Sequence, residues 1–146
     1  LLAFLAGDRS SFRMNRDKPT APHETSDDVV TRVYNYLLHN FTRRITLAAI
    51  ARSVNMHPTT LCSYYKKYTL KSIFDSLMEI RIGHACRLLV NTDLSVAQVA
   101  YESGYENISN FNRQFLRLKK VQPKAYKRLY KGLDLGGRDI SEEMSL

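Results

Sequence analysis

"VAYESGYENISNFNRQFLRLKK", residues 99–120, indicates two short helices joined by a sharp turn. Ala100 is small enough to let a second helix cross the first at close range. Four residues later, Gly104 can adopt the left-handed backbone conformation that a tight turn requires. Phe111 and Phe115 then follow at helical spacing, so the second helix has one buried face. This order of features predicts a helix-turn-helix unit.

The same unit occurs earlier in the chain, in "TLAAIARSVNMHPTTLCSYYKKY", which begins at Thr46. Its apolar positions correspond to those of the later copy at an offset of 49 residues before the turn and 50 residues after it. Asn55, which also tolerates left-handed backbone, takes the place of the glycine. Such a repeat is hard to obtain by chance. The paired positions are Ile50 with Val99, Ala51 with Ala100, Leu61 with Phe111, and Tyr65 with Phe115.

Each helix of the two copies has its own start signal. Thr46 and Ser95 carry capping hydroxyls at the first helix of each copy. Pro58 suits the first position of a helix, and Asn107 is a good N-cap for the last one. Between the copies lies a helix expected from its cap at Ser72 to about Val90, roughly 27 Å long.

A further helix is expected ahead of the first copy, near "TSDD", where Thr25 or Ser26 can cap it. The period is helical throughout the central region, and no stretch alternates convincingly as a strand, so the predicted fold class is all-α. The predicted core residues are Val30, Val33, Leu37 and Phe41 in this first helix, and Phe74, Leu77, Met78, Ile82, Ala85, Leu88 and Leu89 in the long helix.

The positive charge is concentrated in the central region. Residues 28–131 hold 17 Lys and Arg against six Asp and Glu, a net charge of +11. Residues 1–27 are neutral, carry two prolines and are interpreted as the end of a removed N-terminal domain plus a linker. Residues 132–146 carry a net charge of −3 and are expected to form a flexible acidic tail. A region as basic as 28–131 favours a polyanionic partner, although solubility alone also accounts for positive charge.

Composition excludes several classes of protein. No apolar run approaches the ~18 residues that cross a bilayer, and "LLAFLAG" lacks the features of a signal peptide, so we expect a cytoplasmic protein without membrane contact. Cys62 and Cys86 have no CxxC spacing and are too few for a disulfide framework. No metal site or cofactor is predicted, and His39, His57 and His84 are interpreted as surface residues or phosphate contacts.

The outward face of each second helix carries hydroxyl, amide and guanidinium groups. Such groups on a helix fixed by a tight turn hydrogen-bond base edges in a DNA major groove. The other interpretation is a merely solvated face, but two copies on a strongly basic region favour DNA. The predicted base contacts are Thr59, Cys62, Ser63, Ser109, Asn110, Asn112 and Arg113. The predicted phosphate contacts are Arg43, Arg44, His57, Thr60, Lys66, Lys67, Asn107, Arg117 and Lys119.

Residues 30–131 resemble the DNA-binding domain of the AraC/XylS transcriptional regulators. The most specific part is "RIGHACRLLVNTDLSVAQVAYESGYENISNFNRQFLRLKKVQPKAYKRL", residues 81–129. The positions that match the family pattern are Arg81, Ile82, Ala85, Leu88, Leu89, Ser95, Val99, Ala100, Gly104, Tyr105, Asn107, Ser109, Phe111, Arg113, Phe115, Pro123, Tyr126 and Lys127.

The resemblance implies about seven helices, forming two helix-turn-helix subdomains joined by a long central helix. It also implies binding to double-stranded promoter DNA in two adjacent major grooves. Transcription is then usually activated through contact with RNA polymerase, and a small-molecule effector acts only through the missing N-terminal domain. In this family a glycine is usual after each recognition helix, but Leu70 and Lys120 stand here. Ser63 replaces an arginine often found in the first unit, which weakens the expected base reading there.

Other functions have less support in the sequence. The six carboxylates of residues 28–131 are scattered, and no Ser/His/Asp or Cys/His set can be placed on one surface, so no enzyme is predicted. Cys62 could act as a redox sensor or methyl acceptor, but no supporting neighbourhood is present. The serious alternative is a basic helical module that binds an acidic protein partner, which salt-dependent binding to a random duplex would distinguish from DNA binding.

Overall fold

The computed structural model describes residues 26–131, with side chains from residue 28 onward. This part of the chain contains seven α-helices and no strand, which confirms the all-α prediction. The predictions for residues 1–25 and 132–146, including a cap at Thr25 and the acidic tail, lie outside the described residues. The helices are α1 (Ser26–Asn40), α2 (Leu47–Ser53), α3 (Pro58–Thr69), α4 (Ile73–Asn91), α5 (Val96–Glu102), α6 (Ile108–Lys119) and α7 (Pro123–Tyr130).

The predicted start signals are confirmed at atomic level. The side-chain oxygens of Thr46, Ser95 and Asn107 accept hydrogen bonds from backbone N–H groups three residues later, at 3.2, 3.2 and 3.1 Å. Ser72 and Asp75 form a reciprocal pair at the start of α4. The Asp75 N–H donates to Ser72 Oγ at 3.0 Å, and the Ser72 N–H donates to Asp75 Oδ2 at 3.2 Å. These bonds satisfy N–H groups that a helix start leaves without partners.

Left-handed backbone occurs at the two predicted turns, with φ of 55° at Asn55 and 88° at Gly104. The two recognition helices also end in left-handed caps, at Leu70 with φ of 62° and Lys120 with φ of 64°. Both recognition helices therefore end in a left-handed cap without glycine, as the departure from the family pattern required. A non-glycine residue in this conformation costs roughly 1–2 kcal/mol. At each cap the backbone N–H donates to the carbonyl four residues earlier at 2.9 Å, which offsets part of this cost.

Two hydrophobic cores share one long helix. The first turns of α4 complete the first core through Ile73 and Leu77, whereas the second core takes Ile82 and Leu89 from later turns. Because α4 belongs to both cores, it fixes the end of one unit to the start of the other. The remaining first-core residues are Val29, Val33, Leu37, Ile50, Ala51, Val54, Leu61 and Tyr65, and the remaining second-core residues are Met78, Ala85, Cys86, Val90, Val99, Ala100, Tyr105, Phe111, Phe115 and Tyr126.

Four predicted core positions are corrected by the structure. Phe41, after the end of α1, is only partly buried against the first core. Phe74 is 47% exposed, because α4 turns Ile73 rather than Phe74 into the first core. Leu88 is only partly buried against the second core. In α1, Val29 is buried whereas Val30 only packs against the edge of the core. A helix that serves two cores on different sides does not keep one continuous apolar stripe, and this explains the errors in α4.

Candidate nucleic-acid interface

The first recognition helix, α3, has one buried and one solvent-facing side. Leu61 is fully buried and Tyr65 is nearly so, which holds the helix against α1 and α2. The hydroxyl of Tyr65 donates to Ser76 Oγ on α4 at 2.9 Å, so the buried polar group has a partner. The predicted DNA-contacting residues of α3 are all exposed: Thr59, Thr60, Cys62, Ser63, Lys66 and Lys67.

The second recognition helix, α6, is anchored by aromatic rings. Phe111 and Phe115 are fully buried, and their ring centres lie 5.6 Å apart. Phe111 also meets Tyr105 edge-on at 5.1 Å, and Phe115 meets Tyr126 edge-on at 5.4 Å. Each such aromatic pair contributes about 0.5–1.5 kcal/mol beyond the burial of its surface. The rings therefore hold the orientation of α6 and of its polar face.

The polar face of α6 is only partly as predicted. Ser109, Arg113 and Arg117 are exposed, whereas Lys119 is half-buried. Asn110 and Asn112, which are predicted to lie on the outward face, are both half-buried, and Asn112 Oδ1 has no contact with solvent. Asn112 follows the core residue Phe111, so part of its amide lies at the edge of the core. Its role in base contact stays a prediction.

A chain of hydrogen bonds fixes the Arg113 guanidinium. Arg113 Nη2 donates to Asn110 Oδ1 at 2.8 Å, and Gln114 Nε2 donates to the same oxygen at 3.4 Å. Gln114 Oε1 accepts in turn from the Tyr105 hydroxyl at 2.6 Å. Burial raises the pKa of Tyr105 to about 12, which keeps this donor protonated. Gln114 was not among the predicted site residues, and only its i+4 spacing from Asn110 signalled the contact.

The predicted phosphate contacts lie towards the ends of the two recognition helices and on the segment before α2. Arg43 and Arg44 are exposed on the segment before α2. His57 and Asn107 are the N-caps of α3 and α6, and His57 Nδ1 accepts from the Thr59 N–H at 3.3 Å. The N-terminus of a helix attracts anions, so both caps stand where a phosphate group would be stabilised.

The Asp75 carboxylate at the start of α4 is favoured in its charged form. The Ser72 hydroxyl, at 2.7 Å, and the Ser72 N–H, at 3.2 Å, both donate to Asp75 Oδ2 and lower the pKa of Asp75. The positive charges of Arg117 and Lys66 lower it further. Two other acidic residues form ion pairs, Glu79 with Lys71 at 2.8 Å and Asp93 with Lys131 at 2.7 Å. None of the cations in these two ion pairs belongs to the predicted DNA-contacting set.

A cleft lies between the two units, next to the start of α6. The exposed ring of Phe74 lies at this cleft, together with Arg44 from the first unit and Asn110 from the second. The remaining lining residues are Ile45, Leu77, Arg81, Gly104, Tyr105, Glu106 and Asn107. Residues of both units therefore face the same space.

Nothing in residues 26–131 groups three or more His, Cys, Asp or Glu side chains in a way that could hold a metal ion. The described histidines differ from each other: His39 and His57 are exposed, whereas His84 is half-buried. Burial lowers the pKa of His84, and the charge of Arg87 lowers it further. Cys62 is exposed and Cys86 is buried, both as free thiols.

Among the described helices, none has the length and apolar character needed to span a membrane.

Comparison with known proteins defines the class to which this fold belongs. A family model for a helix-turn-helix domain, of the AraC type, matches residues 50–129, which is more than half of the chain. The chain therefore belongs to the AraC-type helix-turn-helix family of transcriptional regulators, and the matched residues are part of a DNA-binding domain of that kind. This family consists of DNA-binding regulators and is not an enzyme family.

Individual relatives agree with this assignment. The uncharacterised transcriptional regulator YdiP of Escherichia coli K12 is 29% identical over 105 residues, which cover 72% of this chain and 35% of YdiP. The C-terminal domain of AraT, a response regulator from Geobacillus stearothermophilus, is 25% identical with a TM-score of 0.69, over 81% of this chain and 93% of that one. The DNA-binding domain of AdpA, a global transcriptional factor, is 24% identical with a TM-score of 0.65, over 69% and 91% of the two chains. The chain spans about a third of the length of the curated relatives that it matches first.

Proposed function

We propose that this domain inserts α3 and α6 into two successive major-groove segments on one face of promoter DNA. The observation that carries the proposal is the pair of equivalent helices, each with a buried apolar side and an exposed polar side, on a region with a net charge of +11. The 19 residues of α4 span about 28 Å, close to the ~34 Å between successive major-groove segments on one face of B-DNA. AdpA, which has a similar fold, was solved in complex with a target DNA, and this supports the proposal.

The two recognition helices are proposed to contribute differently. Arg113 on α6 is held by Asn110 at 2.8 Å, and a guanidinium can donate two hydrogen bonds to a guanine. The first helix offers Thr59, Cys62 and Ser63, which are shorter or less polar. We therefore assign most base reading to α6, with Ser109, Asn110 and Asn112 beside Arg113. Affinity without sequence preference is assigned to α3 and its surroundings, through Arg43, Arg44, His57, Thr60, Lys66 and Lys67, and to Asn107, Arg117 and Lys119 at the ends of α6.

The roles of the whole protein follow from the family and are also proposals. We infer that the protein activates transcription by contacting RNA polymerase while bound at a promoter. A small-molecule effector would act through a separate N-terminal domain rather than through the domain described here. A regulator of this kind works in the compartment that holds the chromosome, which in a bacterium is the cytoplasm.

The first experiment is a DNA titration of the chain without any effector. Affinity for a random duplex should fall linearly on a log–log plot against salt, with a slope of about −0.9 for each neutralised phosphate. Selection from a random DNA library should then give one preferred site, and hydroxyl-radical footprinting should show two protected segments about one turn apart on one face.

Two outcomes contradict the proposal. A salt-independent interaction with DNA, together with tight binding to an acidic protein, would favour the alternative of a protein-binding module. Protection of a single segment of half a turn would instead show that only one recognition helix enters the DNA. The same library serves both questions, since binding and its geometry are read from one selected site.

A further inference from the structure

The two units meet at a second place besides the shared helix α4. The segment after α1, which includes Phe41 and Arg43, lies against the turn of the second unit. A Cβ atom added at Gly104 would lie 2.2 Å from the Phe41 carbonyl oxygen and 3.1 Å from Thr42 Cα. The two backbones are therefore in direct contact, and only a residue without a side chain fits between them.

Arg81, on α4, completes this contact from the side. Its Nε donates to the Phe41 carbonyl at 2.8 Å, and its Nη2 donates to the Arg43 carbonyl at 2.9 Å. The guanidinium carbon lies 5.7 Å from the centre of the Tyr105 ring in the second unit. We call the group Phe41, Arg43, Arg81, Gly104 and Tyr105 the clasp. One half-buried side chain thus binds the first unit by hydrogen bonds and the second by its charge on an aromatic face.

The clasp lies next to groups that face the DNA in the proposed complex. Arg43 and Arg44 belong to the segment whose backbone carbonyls accept hydrogen bonds from Arg81. Tyr105 begins the hydrogen-bond chain that ends at Arg113. Any rotation of one unit against the other must break the bonds of Arg81 or separate it from Tyr105. The clasp therefore sets both the distance and the angle between α3 and α6.

We propose that Arg81 is a positioning residue that makes the domain accept one spacing between the two halves of its DNA site. This inference rests on the proposed two-groove binding and adds the device that fixes its geometry. Each base pair advances a half-site by about 3.4 Å and rotates it by about 35°. If the two units could rotate freely against each other, the domain could bind half-sites at several spacings. A domain whose units are held by the clasp cannot adapt in this way.

The test uses the selected site and a second duplex with two base pairs inserted between its halves. The insertion separates the halves by about 7 Å more and rotates them by about 70°. We expect the wild-type chain to bind the lengthened duplex at least tenfold more weakly than the selected one. Arg81→Met keeps an apolar side chain of similar length but removes every hydrogen-bond donor of the guanidinium. The ratio of its affinities for the selected and the lengthened duplex should fall to threefold or less. Arg87→Met removes the same charge from an exposed position on the same helix and should keep the wild-type ratio.

The outcomes separate this inference from the proposed function. If Arg81→Met weakens binding to both duplexes by one factor, Arg81 only stabilises the fold and the inference is wrong. A wild-type chain that binds both duplexes equally would also overturn it. If the wild-type chain prefers no selected site over random DNA, the proposed function itself fails.

A distance measurement keeps the inference testable even if Arg81→Met folds poorly. Spin labels on the exposed Cys62 and on an introduced Ser109→Cys report the separation of α3 and α6, while the buried Cys86 is protected from labelling. The free wild-type protein should give one narrow distance distribution, and Arg81→Met should broaden it. A broad distribution in the wild type would by itself contradict the clasp.

Discussion

Replacing Gly104 with alanine should destabilise the domain far more than any ordinary glycine replacement. Gly104 has a φ of +88°, a conformation that costs an alanine roughly 1–2 kcal/mol. The added Cβ would also lie 2.2 Å from the Phe41 carbonyl oxygen, which belongs to backbone and cannot rotate away. Forcing such neighbours apart costs about 1–3 kcal/mol in a packed region, so the expected total is about 2–5 kcal/mol.

Two matched variants separate the two causes. Gly83 lies inside α4, and a Cβ added there meets nothing within 4 Å. Gly83→Ala should therefore stabilise the domain by about 0.5–1 kcal/mol, because alanine suits a helix better than glycine. Asn55→Ala at the corresponding turn of the first unit tests conformation alone, with an expected loss of about 1 kcal/mol.

Urea unfolding followed by far-UV circular dichroism measures all three variants on the same chain. Gly104→Ala should also lower Tm by about 10 °C or more, since about 1 kcal/mol corresponds to several degrees in a domain of this size. If Gly104→Ala did not lower the free energy of unfolding, the proposed close contact of Gly104 with Phe41 would be contradicted. If Gly104→Ala lost no more unfolding free energy than Asn55→Ala, the loss would be explained by the left-handed conformation alone, and the steric contribution would be contradicted.

Two further predictions concern DNA reading and pH. Arg113→Ala should remove base preference at one position, about 1–3 kcal/mol of discrimination, whereas Lys66→Ala should weaken all duplexes equally and lower the salt slope by about one phosphate. Titrations on the selected and a scrambled duplex decide this, and an equal loss for both duplexes in Arg113→Ala would make it a phosphate contact. The hydrogen bonds from Ser72 lower the pKa of Asp75 in the folded state. The charged carboxylate therefore stabilises the fold at pH values above its unfolded pKa of about 3.9. This stabilisation is lost as the pH falls through the lower pKa of the folded state. Asp75→Asn should therefore be less stable than wild type at pH 7 and approach it in acid, and a difference that persists at low pH would contradict the assignment.

The sequence by itself determined both helix-turn-helix units, their turns and most helix starts. Asn55 and Gly104 adopt the predicted left-handed conformation, and Ser72 caps α4 as expected. These signals act within a few residues, because a cap, a turn or one helical face depends on neighbours along the chain. The composition also determined the strong positive charge, which does not depend on the fold.

Only the tertiary structure decided how the two units are placed against each other. Arg81 binds carbonyls 38 and 40 residues away, and no local pattern predicts that contact. Phe74 is exposed because two cores pack on different sides of α4, and periodicity describes only a single side. Asn112 on α6 is partly covered beside the core residue Phe111. The need for glycine at position 104 likewise has two sources. Its backbone conformation follows from the local turn, but its contact with Phe41 exists only because the chain brings residues 63 positions apart into one packed region.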